Sequence, residues 1–305
     1  MWLQMWQGKA WHIAAFCCLL SVVFAVMIFR DAPAMRTRLL NFVRYGVLGV
    51  SFFYVGLYLR GQPTSTNIVI GLNSLREMRF PWELYLMEPI IFLFFIFIAI
   101  TAVVWGRGVF CGWLCPYGAM LELLRKAMGV FTKLSIKPAF SLHRRLSLVK
   151  FVALAAIFGV SFYSFILSEY FTEIEPFRTL VLMKVRPLKL EFSFGRPWYF
   201  AAYFVLLSAA SAVVLRAFCL YLCPLGALIS IPALARVFPL FKIKRYDLCG
   251  KCRICEKGCD YNAIRPDGTV DAVNCMQCMD CQVNYRDAKR CPGAIALNKR
   301  GEAAR

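Results

Sequence analysis

Histidine is nearly absent from this chain: only His12 and His143 occur in 305 residues. Acids are scarce too, 17 against 36 lysines and arginines, and charged residues make up 17% of the whole. No Cys-x2-Cys-His stretch is present, which excludes covalent attachment of a c-type haem. No Gly-x-Gly-x-x-Gly fingerprint follows a strand, and no phosphate-binding loop exists, so dinucleotide and nucleotide chemistry have no place to sit. Polar residues are too few for an ordinary soluble domain. The composition, 60% hydrophobic, points to a membrane protein.

Five apolar stretches reach the roughly 20 residues a bilayer-spanning helix needs. They run about 12–29, 39–59, 84–105, 148–167 and 198–215. The first could be mistaken for a signal peptide, because Ala32-Pro-Ala34 mimics a cleavage site. Its positive charges follow the apolar run instead of preceding it, so a retained helix is expected. Segment 106–150 carries Arg107, Arg125, Lys126, Lys133, Lys137, Arg144, Arg145 and Lys150 against the single acid Glu122, which assigns it to the cytoplasm. The basic link with Arg30, Arg36 and Arg38 is then also inside. The N-terminus and loops 60–83 and 170–197 face outside, and the tail faces inside. His12 and His143 fall on opposite sides, which argues against a bis-histidine haem. The formal charge of +19 belongs to inner loops and predicts no nucleic-acid partner.

An internal repeat links the two halves. Phe110-Cys-Gly-Trp-Leu-Cys-Pro-Tyr-Gly-Ala119 matches Phe218-Cys-Leu-Tyr-Leu-Cys-Pro-Leu-Gly-Ala227 at seven of ten positions. Each copy follows an expected span at its cytoplasmic end. Cys111 and Cys115, like Cys219 and Cys223, are four apart and would share a helical face, with Pro116 and Pro224 ending or kinking the helix. A thiolate metal site, a redox-active dithiol, an electron relay and plain buried cysteines all fit this pattern. Cys17 and Cys18, in the first span, are expected to face lipid or a helix.

Eight of the 14 cysteines fall between Cys249 and Cys291. Cys249-x2-Cys252-x2-Cys255-x3-Cys259 is the bacterial ferredoxin run for a 4Fe–4S cluster, and Cys275-x2-Cys278-x2-Cys281 followed by Cys291-Pro292 is a second. Because the fourth cysteine of each run ligates the other cluster in two-cluster ferredoxins, the expected sets are Cys249, Cys252, Cys255 and Cys291, and Cys259, Cys275, Cys278 and Cys281. Two departures stand out: Asp260 replaces the usual proline, and nine residues separate Cys281 from Cys291. Zinc takes two ligands per knuckle, whereas runs of three at equal spacing suit clusters. The chain thus divides into a membrane domain, 1–240, and a cytoplasmic tail, 241–305. The tail is expected to be an α+β two-cluster ferredoxin-like domain held by its metal.

An ionisable residue inside a span is a functional candidate. Glu88, one turn inside the outer end of its helix beside Pro89, could take a proton from a quinol. Arg44 is expected to snorkel to the inner interface, and Trp82, Tyr85, Trp198 and Tyr199 to form an aromatic belt. With haem and dinucleotide excluded, electrons must enter and leave through clusters, a quinone or a partner protein.

Membrane helices with two Cys-x3-Cys-Pro motifs (Cys111–Pro116, Cys219–Pro224) ahead of a two-cluster tail resemble the NapH and NosR/NirI group of membrane iron–sulfur proteins. The five-helix plan, Thr172-Glu-Ile-Glu-Pro-Phe177 and the widened Cys281–Cys291 gap look closer to the NosR branch. The resemblance implies two 4Fe–4S clusters, quinol or menaquinol as donor, and a multi-pass protein of the bacterial inner membrane. It implies a periplasmic reductase or a flavin-domain partner as acceptor. The flavin domain that precedes this region in that branch is not visible here, nor is a threonine flavinylation motif. Copper-reducing accessory factors of cytochrome oxidase assembly resemble the chain at Phe110–Pro116 and give an alternative function. A redox-sensing regulator is a third. Whether the chain acts as a quinol dehydrogenase component or as a carrier is left open at this level.

Overall fold

The structure is a computed structural model describing residues 2–29, 37–76, 82–131, 136–178, 183–186, 191–194, 198–234, 243, 245, 249–287 and 289–299. The basic link at Arg30 and Arg36, Lys133, and the expected domain boundary at 240–241 lie outside the described residues.

Among the described residues three helices, not the five expected, are long and apolar enough to cross a bilayer: Ala10–Ile28, Arg38–Tyr58 and Phe140–Tyr163. The other two expected spans are shorter. Expected span 84–105 breaks at Glu88, whose backbone is non-helical (φ −112°, ψ 84°), and Pro89 opens a new helix, Pro89–Val104. Proline disfavours helix in the residue before it but suits the first helical position. Gly106, at φ +86°, closes that helix, a conformation only glycine adopts freely. Its 16 residues rise about 24 Å, short of the ~30 Å hydrocarbon core. The last span likewise shortens to Trp198–Val213, before the left-handed Arg216 (φ 54°). The fourth begins earlier than expected and stops at Ser164, whose hydroxyl caps the next helix by accepting from the Leu167 amide at 3.4 Å.

Outside these helices, Met183–Arg186 and Glu191–Phe194 pair as an antiparallel hairpin in the 170–197 loop. The α+β expectation for the tail is overturned. Its described residues form short helices (Cys249–Cys252, Ile254–Gly258, Asp280–Arg286, Pro292–Lys299) and one isolated bridge, Ile264–Val270, with no strand. The longest stretch between tail cysteines, 260–274, turns at Asp267-Gly268 and makes only the Ile264–Val270 bridge. Arg253 and Met279, each directly after the second cysteine of its run, adopt left-handed φ of 53° and 68° and start the next helix. That device recurs in both runs, as a duplicated unit requires.

The core gathers around the repeat. Phe16, Phe94 and Phe110 stack edge to face at 4.7 and 5.5 Å, joining the first span, the Pro89 helix and the first motif copy.

Candidate metal centres

The two motif copies are built alike. In each, the amide of the second cysteine closes a widened five-residue turn, Cys115 to the Phe110 carbonyl at 2.9 Å and Cys223 to the Phe218 carbonyl at 3.0 Å. Pro116 and Pro224 then open new helices, Pro116–Phe131 and Pro224–Leu234, instead of ending or kinking old ones. The expected single helical face for each thiol pair is therefore replaced by a turn. Two residues past each proline, a glycine amide donates to the second sulfur: Gly226 to Cys223 Sγ at 3.3 Å, Gly118 to Cys115.

The copies are tied together crosswise by two arginines that the sequence reading did not single out as functional. Arg107, ahead of the first copy, donates to the Cys219 carbonyl of the second at 3.3 Å. Arg216, ahead of the second, donates to the carbonyls of Cys111 and Gly112 in the first. The motif glycines make room for them: a Cβ on Gly118 would stand 3.0 Å from Arg216 Nη1, and one on Gly226 3.2 Å from Arg107 Nη1. Both arginines are buried, at 1% and 0% exposure. The available signal was an arginine within three residues ahead of each repeat. The four thiols lie within electrostatic reach of one another, Cys115 and Cys223 each acting on Cys111 and Cys219.

The tail docks on the first copy. Gly108 and Gly112 lie against the Cys275–Met276 backbone so closely that a Cβ on Gly108 would come 2.6 Å from the Cys275 carbonyl. Trp113 donates its indole N–H to the Gln277 carbonyl at 2.9 Å, and the Gln277 side chain donates to the Trp105 carbonyl at 3.1 Å. Lys150, fully buried on the Phe140–Tyr163 helix, donates to Asn274 Oδ1 at 3.0 Å. Beside this seam, Glu122 accepts from Arg44 and Arg216, both at 2.5 Å, and from the Tyr261 hydroxyl at 2.9 Å. Arg44 therefore does not snorkel; it is 4% exposed. Burial alone would raise the Glu122 carboxyl, but Arg216 and Arg44 beside it hold it below the usual carboxylate range.

The tail cysteines line two adjoining cavities. Cys249, Cys252, Cys255 and Cys291 line one, with Arg245 and Asn284. Cys259, Cys275, Cys278 and Cys281 line the other, of about 440 Å³, which shares Cys255 and Asn284 with the first. Each cavity thus gathers one of the two expected ligand sets. Burial pushes the thiol of Cys275 up to about 12 and that of Cys281 up to about 11. Thiolates here need a bound cation, the role iron fills. Among the described residues no three cysteine, histidine or acidic side chains stand close enough to share one metal ion.

The remaining candidates are dispersed. Glu88 is exposed and paired with Lys9 at 2.8 Å. Cys17 and Cys18 lie in the first span, half-buried and exposed. Trp82, Trp198 and Tyr199 are exposed and Tyr85 is half-buried. A different acid is buried: Glu175, in the 170–197 loop, accepts from the Ser65 amide at 3.0 Å and from its hydroxyl. Burial raises its carboxyl to about 7, and it acts electrostatically on Cys223. Residues of the loops assigned to the outer face reach the motif as well. Gln62 accepts from the Tyr117 amide at 3.1 Å, and Phe177 packs on Tyr117 at 6.3 Å.

A 4Fe-4S binding domain model matches 87–138 and 194–244, the two segments holding the Cys-x3-Cys-Pro copies. The NosR model matches 247–302, the tail. The regulatory protein NosR of Pseudomonas aeruginosa is 37% identical over the whole of this chain, which spans 41% of that protein. Protein NirI of Paracoccus denitrificans is 36% identical over the whole chain, 43% of its own length. A shorter NosR sequence from Pseudomonas aeruginosa is 42% identical over 88 residues, 86% of it. The chain therefore spans about two-fifths of the full-length relatives it matches. No solved structure matches. Helices able to cross a bilayer, iron–sulfur binding segments and identity along the full chain place this protein in the NosR/NirI family.

Proposed function

We propose that the chain is a membrane-bound iron–sulfur electron-transfer module of denitrification, passing electrons between the quinol pool and a respiratory reductase system. The observation that carries this reading is the pair of adjoining tail cavities, each gathering four cysteines in the ferredoxin pattern and sharing the Cys255 wall. Cys249, Cys252, Cys255 and Cys291 would hold one 4Fe–4S cluster, and Cys259, Cys275, Cys278 and Cys281 the other. When bound, such clusters supply one-electron transfer at potentials tuned by charge and by hydrogen bonds to sulfur. Arg245, against the Cys255 sulfur, is one such tuning group.

The chain's own residues divide the remaining work. The tail docks through Trp113, Gln277 and the Glu122 network, so the second cavity sits directly on the first motif copy. Glu175 is the buried acid on the outer side and is better placed than Glu88 to receive a quinol proton near the thiols. The tail docks on segment 106–122, and the basic bias of 106–150 assigns both to the cytoplasmic side of a bacterial inner membrane. A periplasmic reductase or flavin-domain partner would complete the path.

Anaerobic EPR of the purified protein, before and after adding a reduced menaquinol analogue, tests the reading, with dithionite as the full-reduction control. Quinol is expected to produce reduced-cluster signals. Signals with dithionite alone would overturn the quinol link. Cys252→Ala and Cys278→Ala are each expected to lose one tail signal. Full iron content in either would refute the ligand assignment.

A further inference from the structure

We propose that Cys111, Cys115, Cys219 and Cys223 together ligate one further iron–sulfur centre, shared between the two motif copies, with Arg107 and Arg216 balancing its charge. The inference rests on the reading above and adds a redox centre between the outer loops and the tail. The 4Fe-4S binding domain match covers both segments but specifies neither the ligands nor whether the copies hold separate centres.

Three observations support a single shared centre. The crosswise arginine bonds tie the backbone at the first cysteine of each copy to the other copy, and the four thiols lie within electrostatic reach of one another. In each copy an amide donates to the second sulfur, an arrangement that stabilises a ligating thiolate. Arg107 keeps Nε and Nη2 without a hydrogen-bond partner although it is 1% exposed. Arg216 is neutralised by Glu122, whereas no ion pair is found for Arg107 among the described residues. Lys150, also buried, lies near Cys111 and Cys223, with Asp271 on its other side. Buried donors and positive charge without a counter-ion call for an anionic occupant. Four thiolates around an iron–sulfur core carry net negative charge and satisfy that requirement. Assembly takes ferrous and ferric iron and sulfide from outside: each Sγ–H bond releases its proton as an Fe–S bond forms, and neither iron nor sulfur changes oxidation state.

The position matters for electron flow. Pro116 and Tyr117 of the first copy touch Gly56, Gln62 and Phe177, while Gly112 and Trp113 touch the Met276–Gln277 loop. A centre here is reached from the outer loops on one side and abuts the second tail cavity on the other. The hydrocarbon gap between an outer donor or acceptor and the tail clusters is thereby divided into two shorter steps.

The test counts iron and acid-labile sulfide per chain in the full chain, reconstituted anaerobically with ferrous and ferric iron and sulfide. Wild type is compared with Cys252→Ala, Cys278→Ala and the double variant Cys111→Ser/Cys219→Ser. The wild type is expected to hold more iron than the two tail variants together account for. The double variant is expected to lose that excess while both tail EPR signals persist. If the tail variants account for all wild-type iron, the proposal is overturned, and this holds even if the double variant fails to fold. Loss of the tail signals alone, with the excess intact, would instead strike the tail assignment. Arg107→Gln is expected to retain the iron and shift one midpoint potential downward in a redox titration. An unchanged set of potentials would remove Arg107 from the centre.

Discussion

Replacing Glu122 by glutamine should release the tail from the membrane domain. The carboxylate is 5% exposed and is the common partner of Arg44, Arg216 and Tyr261. Glutamine keeps the shape and removes the charge, leaving Arg216 with no ion-pair partner among the described residues and Arg44 with only Asp280 at 4.0 Å. Breaking a buried ion pair from one side costs about 3–5 kcal/mol. The three contacts form one network, so their separate costs do not add. Because 1.4 kcal/mol is a factor of ten, tail opening should become roughly two to three powers of ten more frequent. Native-state hydrogen exchange in detergent or nanodiscs reads this directly at the amides around Tyr261 and Met276. Limited proteolysis of the tail gives an independent check. Exchange rates within about threefold of wild type would refute the idea that this network holds the tail. A triple replacement, Glu122→Met with Arg44→Met and Arg216→Leu, should restore much of the protection, since an apolar set in place of buried charges is often neutral or stabilising. Acid should mimic the single variant. The carboxyl lies below its ordinary value, so its contribution is present above the unfolded pKa and is lost as pH falls through the folded one.

Glu175 should show the opposite dependence. Its carboxyl is raised to about 7, so its contribution is complete below its ordinary pKa and is lost as pH rises through 7, by roughly 3 kcal/mol in all. Thermal midpoints should fall between pH 5 and pH 8 in wild type and stay flatter in Glu175→Gln; equal slopes would remove Glu175 from the account. Gly112→Ala drives a Cβ into the Met276 carbonyl, so the second tail cluster should lose occupancy while the first keeps its EPR signal. Trp113→Phe removes only the indole donor to Gln277 and should cost about 1 kcal/mol of tail protection in the same exchange experiment.

Spacing along the chain was enough to sort the tail cysteines into two expected sets. Their separations of three are local, and the loop that wraps a cluster is built from neighbours in sequence, so the two expected sets reappear as the linings of two cavities. Family membership was legible for the same reason, since the motifs and their order are linear features. Hydropathy showed a membrane protein but miscounted its spans. It averages over residues and does not register that Pro89 restarts a helix or that Gly106 and Ser164 stop one. The α+β expectation for the tail came from resemblance to ferredoxins; in the described residues the stretch 260–274 makes only the isolated Ile264–Val270 bridge.

Tertiary structure alone decided the pairings across distance. Glu122 looks in sequence like a lone acid in a basic loop; folding brings Arg44 from 78 positions before it and Arg216 from 94 positions after it. The crosswise bonds of Arg107 and Arg216 join residues more than a hundred positions apart. The choice of Glu175 over Glu88 as the buried acid likewise depends on Ser65, which only packing brings to it. Burial is a property of the assembled chain, and in a low-dielectric interior it determines which charges must find partners.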